Sequence, residues 1–174
     1  ACSFKSSDYV SMIKELAPKI SEDAKKGLNS KRLPHLEHLI AITDQDIDGF
    51  YRFDEISREL SEESTVLLSE KAHSLNPDDP INIQFTSGTT GLPKGATLSH
   101  FNILNNAYSV GDAMKFTSKD RLCIPVPLYH CFGMVMGVLC CLTHGATMIF
   151  PGEGFEPLDV LVAVEKEKCT ALHG

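Results

Sequence analysis

The chain has 174 residues, 43% of them hydrophobic and 22% charged, with 23 acidic and 16 basic residues giving a net charge of −7. The length suffices for one domain with a core or for part of a larger one, and the composition excludes general disorder. The acidic balance excludes a generic nucleic-acid surface, which needs clustered Lys and Arg to neutralise phosphates.

In chain order, Tyr9, Met12, Ile13, Leu16 and Ile20 recur at helical spacing, with Ser7 as the cap. "HLEHLIAIT" (His35–Thr43) reads as a short strand, although a helix is also compatible. After the acidic loop "DQDIDG", a polar helical stretch runs from about Phe53 to Leu75. "NPDDP" (Asn76–Pro80) is strong punctuation and sets the internal boundary, dividing the chain into 1–80 and 81–174. Beyond it, "INIQFTS" is a strand, followed by a Gly/Thr loop and a helix from about His100 to Lys115. "RLCIPVP" is a strand, an apolar helix starts at Cys131, "ATMIF" is a strand, "PLDVLVAVEKEK" a helix and "TALHG" the start of another strand. Strand and helix alternating at this spacing predict an α/β fold, a layered and largely parallel sheet with flanking helices.

Charge is uneven along the chain. Residues 1–80 carry 10 basic and 16 acidic groups, whereas 81–174 carry 6 and 7, so the second half is the better host for an anion. Six cysteines show neither CxxC nor framework spacing and mostly lie in apolar surroundings, which reads as reduced thiols in an intracellular protein. The longest apolar run, Cys131–Leu142, is too short to span a bilayer. The chain opens at "ACSFK" without an initiator Met or signal peptide and stops at "ALHG", on a strand, so an excised fragment is expected. A covered sheet cut at its edge exposes apolar surface, so self-association (a homo-oligomer) or a partner is expected too.

The stretch "FTSGTTGLPKGATLSH" (Phe85–His100) holds three Gly, four Thr, two Ser and one Lys in sixteen positions. A Gly-rich loop after a strand lets successive backbone N–H groups converge on one anion, while hydroxyls and an ammonium group add donors. A phosphate cradle fits this mixture, and so does a plain turn joining two strands. It is not a Walker loop, because Pro93 precedes Lys94 and Gly95 follows it, and GxGxxG is absent.

"TSGTTGLPKG" (Thr86–Gly95) resembles the phosphate-binding signature of the adenylate-forming superfamily, which includes acyl-CoA synthetases, luciferases and peptide-synthetase adenylation domains. "GATLSHFNILNN" (Gly95–Asn106) and "PLYHCFGM" (Pro127–Met134) resemble the segments that follow it in fatty acyl-CoA synthetases. The resemblance is closest to medium-chain enzymes of the acyl-CoA synthetase family member 2 type. It is close from Ile81 to Gly174 and weaker before that. It implies that the chain belongs to the large N-terminal domain of an ATP-dependent acid-thiol ligase. Such a ligase joins a fatty acid to AMP with loss of pyrophosphate and then passes the acyl group to CoA, with Mg²⁺ as the metal cofactor.

By that resemblance Thr86, Ser87, Gly88, Thr89, Thr90, Gly91 and Lys94 hold the β- and γ-phosphates of ATP, and Lys94 and His130 are the catalytic pair. By the resemblance His130 would be an aromatic gate near the substrate carboxylate and the route of the CoA arm, whereas residue type alone favours a core histidine at a strand end, bonded to backbone. The family's tyrosine-glycine-x-threonine-glutamate motif, ribose-binding aspartate, hinge, C-terminal lysine and C-terminal domain are absent here, and the fragment alone is expected to be inactive. The resemblance also implies small-molecule substrates and a bacterial cytoplasmic or a mitochondrial location. An aryl or amino-acid adenylating enzyme fits the same loop, and a non-catalytic phosphate-binding or interaction module is the reading from another class.

Two further patterns lead elsewhere. "DQDIDGFYRFDE" (Asp44–Glu55) fits a calcium loop through Asp44, Asp46, Asp48, Gly49 and Glu55, but Arg52 stands at a coordinating position and no helix precedes it. It reads as an acidic surface loop. His35 and His38 are three apart with no third ligand, so no metal residue is assigned.

Overall fold

The computed structural model describes residues 2–4, 6–20, 30–56, 61–88 and 91–173. The chain divides into two compact units, Ala1–His73 and Ser74–Gly174.

In the first unit, β1 (Ser3–Phe4) pairs antiparallel with β2 (Ser7–Asp8), which leads into helix α1 (Tyr9–Leu16). The helix is capped by Asp8 rather than by Ser7, which opposes Phe4 in the strand pair. The Asp8 carboxylate accepts from the Ser11 N–H at 3.0 Å and from the Ser11 hydroxyl at 2.7 Å. The Ser11 N–H bond holds the Asp8 carboxyl below the ordinary carboxylate range. Pro18 cannot continue the helix, which ends on the Ala17 N–H bonded to the Ile13 carbonyl. A small core of Ala17, Ile20 and Leu39 gathers Ile13, Leu36 and Phe50.

The strand expected over His35–Thr43 is confined to β3 (Ile40–Ala41), which pairs in parallel with β4 (Tyr51–Arg52). The acidic loop between them turns at Gly49, where φ is +89° and a Cβ would meet Ile20 Cγ2 at 2.8 Å. Arg52 lies in the midst of the loop's acceptors, with Nη2 2.8 Å from Glu55 Oε1 and Nε 3.5 Å from Asp46 Oδ1. Its Nη1 also donates to the Asp44 carbonyl at 3.4 Å. Its guanidinium takes the place that a calcium-loop reading would give to the ion. The polar helical stretch is found as α2 (Phe53–Ile56) and α3 (Glu62–Ser74), with 57–60 outside the described residues. The Ser61 hydroxyl accepts from the Ser64 N–H and starts α3.

In the second unit, Asn76 and Asp79 tie a tight turn through side chain and backbone, and the chain enters β5 (Pro80–Thr86). Here the structure adds an element to the sequence reading. Residues after the Gly/Thr loop form β6 (Lys94–Ser99), which pairs antiparallel with β5. The loop therefore sits at the tip of a hairpin, not directly before a helix. Ser99 ends β6 and caps helix α4 (His100–Ala113) in a reciprocal box, its hydroxyl accepting from the Asn102 N–H while Asn102 Oδ1 accepts from the Ser99 N–H. Buried Ile103, Ala107 and Gly111 mark one face of α4, and the first two pack with Val135.

The parallel sheet has β7 (Arg121–Cys123) at its centre, β8 (Thr147–Ile149) on one side and β9 (Ala171–Leu172) on the other. Successive side chains of β7 alternate between faces. Leu122 joins Ile124, Ala146 and Cys141 of helix α5 (Cys140–His144) in one core. On the opposite face Arg121 reaches Glu167, just past helix α6 (Pro157–Lys166), through its carbonyl at 2.6 Å and carboxylate at 3.1 Å. Helices thus cover both faces of a parallel sheet, as the α/β alternation predicts. The apolar helix expected from Cys131 forms a π-helical stretch (Phe132–Leu139) that passes into α5.

Candidate active site

The Gly/Thr loop joins two strands in register: Thr86 opposes Lys94, Phe85 opposes Gly95 and Gln84 opposes Ala96. Cross-strand partners share a face, so the strand pairing brings Thr86 and Lys94 together at the loop's base. Ser87 and Gly88 lead out of β5, and the Gly91 N–H donates to the Gly88 carbonyl at 3.1 Å. Gly91 has φ +85°, a conformation that favours glycine. Gly88 is required for a different reason: a Cβ there would collide with the Leu92 carbonyl oxygen and press on Lys94 Cγ at 3.3 Å. Thr89 and Thr90, also assigned to the loop's phosphate contacts, lie outside the described residues.

Lys94 is exposed and forms no ion pair with any described residue. At one end of the ribbon the described residues present the exposed Lys94 side chain and the exposed Thr86 and Ser87 hydroxyls. Of the two readings open at the level of residue types, the structure shows the strand-joining turn.

His130 lies on a different segment. After β7 the run Ile124–Pro125–Val126–Pro127 is held by two prolines, and the His130 N–H donates to the Pro127 carbonyl at 3.2 Å. The chain then folds back on itself. A Cβ on Gly133 would collide with the Pro127 carbonyl, and one on Gly137 would meet Ile124 Cγ2 at 3.0 Å. The Gly133-x-x-x-Gly137 spacing therefore serves close packing against the chain's own extension of β7. His130 is exposed, so the core-histidine reading does not describe it. Its Nδ1 accepts from the Phe132 N–H at 3.1 Å and lies 3.7 Å from Cys131 Sγ. A backbone N–H only donates, so Nδ1 is unprotonated, and in the neutral ring Nε2 carries the proton. Among the described residues no hydrogen bond joins His130 to the loop. Sequence reasoning did not single out His173, a buried side chain after β9 whose ring touches Phe132; a lone His before a glycine gave no signal.

The family model for "AMP-binding enzyme" matches residues 7–174. The chain belongs to the AMP-binding enzyme family. The mitochondrial medium-chain acyl-CoA ligase ACSF2 of Danio rerio is 45% identical over 173 residues, which are 98% of this chain and 28% of that protein. YngI of Bacillus subtilis is 45% identical over 172 residues, 99% of this chain and 31% of that protein. Among solved structures, the ATP-bound crystal structure of MatB from Rhodopseudomonas palustris is similar with a TM-score of 0.52 and 31% identity, over 62% of this chain and 22% of that one. The chain spans less than a third of the length of the two relatives. One is named mitochondrial and the other is bacterial, so relatives occur in both settings. Among the described residues no helix is long and apolar enough to cross a membrane.

Proposed function

We propose that this chain is part of an ATP-dependent acyl-CoA synthetase and that its hairpin loop holds the phosphates of ATP. The single observation that carries this reading is the loop itself: an exposed Lys94 that forms no ion pair with any described residue, set opposite Thr86 at the base of a glycine-shaped turn, in a chain of the AMP-binding family. ATP, the ligand bound in the similar MatB structure, fits the donor set, because oxygens of a triphosphate need ammonium, hydroxyl and N–H donors on one side. Thr86, Ser87, Gly88, Thr89, Thr90, Gly91 and Lys94 are the proposed contacts. Mg²⁺ would spread the phosphate charge, and no described residue is assigned to hold it.

In the proposed reaction a carboxylate oxygen forms a bond to the α-phosphorus as the bond from that phosphorus to the bridging oxygen breaks. Pyrophosphate leaves with the electron pair. Negative charge grows on the leaving group, so donors already aimed at it favour the transition state over the ground state. The thiol sulfur of CoA then forms a bond to the acyl carbon, AMP leaves, and the thiol proton passes to solvent or a base. His130, presenting Nε2–H from an exposed ring, is proposed to face the acyl carboxylate. The name of the Danio rerio relative favours a medium-chain fatty acid as substrate and a mitochondrial setting; the Bacillus subtilis relative favours a bacterial one.

The test is pyrophosphate exchange into ATP by the full-length protein, with C6 to C12 fatty acids, aromatic acids and amino acids in parallel. Exchange that depends on fatty acids supports the proposal. Exchange only with aromatic or amino acids moves the chain to another adenylating enzyme, and no exchange with any acid favours a binding module.

A further inference from the structure

Among the described residues, His173 is the one buried polar side chain, 9% exposed, at the end of β9. Burying an imidazole is costly unless its nitrogens are bonded. Here Nε2 lies 3.0 Å from the Met136 carbonyl, and since a carbonyl only accepts, Nε2 carries the proton and donates. The backbone supports this placement, with the His173 N–H donating to the Cys123 carbonyl at 3.3 Å.

Met136 lies within the π-helical stretch. In an α-helix its carbonyl would accept from the Cys140 N–H, four residues on. That N–H is instead directed to the Val135 and Gly137 carbonyls, so the α partner of Met136 is diverted, and His173 Nε2–H donates to the Met136 carbonyl from outside the helix. The His173 ring also lies 5.1 Å from the ring of Phe132, the first residue of the stretch, at an interplanar angle of 54°. The N–H of Phe132 is the donor that fixes His130 Nδ1. One buried side chain on the central sheet therefore touches both the residue that orients His130 and a carbonyl inside the π stretch. π-helical turns are rare and cluster at functional sites, and this one has an external partner that favours it over the α register.

We propose that His173 is a positioning residue: through Met136 and Phe132 it holds the π register and thereby the tautomer and direction of the His130 ring. This rests on the reading of His130 as facing the acyl carboxylate. His173→Leu keeps an apolar volume and removes the donor, whereas His173→Gln keeps an N–H at similar reach.

The experiment uses the full-length enzyme and single-turnover rates of adenylation and thiol transfer. His173→Leu is expected to lower the His130-dependent rate by about ten- to a hundredfold, as loss of precise placement does, with ATP affinity unchanged. His173→Gln is expected to recover most of it. In a His130→Ala background, His173→Leu is expected to cost nothing further, since it acts through His130. A wild-type rate in His173→Leu, equal loss in both His173 variants, or losses that multiply in the double variant would each overturn the proposal. Nitrogen NMR of the imidazoles gives a readout apart from activity. Loss of the unprotonated Nδ1 signature of His130 in His173→Leu supports positioning, and its retention overturns it. Should His130→Ala itself react at the wild-type rate, the reading of His130 fails, and the NMR arm alone decides whether His173 sets that ring.

Discussion

Replacing Lys94 by Ala separates a catalytic role from a structural one. The side chain is exposed, opposes Thr86 and forms no ion pair with any described residue, so its removal leaves the folded chain within about 0.5 kcal/mol of its original stability. An ammonium group ~4 Å from a phosphate oxygen, at the effective dielectric near 20 of a partly exposed site, interacts by roughly 4 kcal/mol. Much of that is already present when ATP binds, and only the part that grows as pyrophosphate departs lowers the barrier. Loss of one such donor costs about 3 kcal/mol, or roughly a hundredfold in rate. The thiol step starts after pyrophosphate has left and is expected to be much less affected. Single-turnover kinetics of each half-reaction in the full-length enzyme, with melting temperature as the folding control, measures both. An unchanged adenylation rate in a folded Lys94→Ala enzyme would refute the cradle. Equal losses in both steps would place Lys94 in domain closure or folding instead.

Three further outcomes follow from the packing. Gly88→Ala, whose Cβ would collide with the Leu92 carbonyl, is expected to open the loop and lower pyrophosphate exchange at least about tenfold, while Gly154→Ala, with nothing within 4 Å of the new Cβ, stays silent. Burial pushes the Cys141 thiol up to about 11 from an ordinary 9.0, with the neighbouring Cys140 adding to it. The raised value favours the folded, protonated form, so this contribution is intact below pH 9.0 and is lost as pH rises towards 11, by roughly 2 to 3 kcal/mol. Melts of the chain from pH 8 to 11 should fall more steeply than those of Cys141→Ala, and parallel curves would refute the assignment. Asp120 has the opposite sign: the Thr117 N–H, then the Thr170 and Thr117 hydroxyls, hold its carboxyl below the ordinary 3.8. Its contribution is present above pH 3.8 and is lost as pH falls further, so Asp120→Asn is expected to flatten the acid limb of stability against pH.

How far the sequence carries depends on which residues speak for themselves. Strands β5, β7, β8 and β9 are marked by Ile, Leu, Met and Phe, and helices α4 and α6 by periodic apolar positions, so their existence was legible. β6 was not. "KGATLS" carries Lys, Gly and Ser, and its strand character comes from pairing across the hairpin with β5, a tertiary effect that local propensity does not report. The cap of α1 shifted by one residue because Ser7 and Asp8 are both good caps and only the strand pairing decides between them. The π register of Phe132–Leu139 leaves no trace in composition; Gly133 and Gly137 announce a close approach, not the hydrogen-bond pattern that results. In the candidate site, residue types pointed to the loop and the family resemblance to His130, whereas the tautomer of His130 and the contact of His173 exist only once β7, β9 and the π stretch are assembled.

The junction of β6 and α4 has a mechanical side. Ser99 is at once the last residue of the strand and the cap of the helix, so the element that begins at Lys94 runs into α4 without an intervening linker. A strand of six residues spans roughly 20 Å at ~3.3 Å per residue, and an extended, paired strand hardly stretches. Tension applied at the Lys94 end thus reaches the first turn of α4 with little slack to absorb it. The capping box is the joint in that line. Its two reciprocal bonds between Ser99 and Asn102, at 3.0 and 3.3 Å, lie directly in that line.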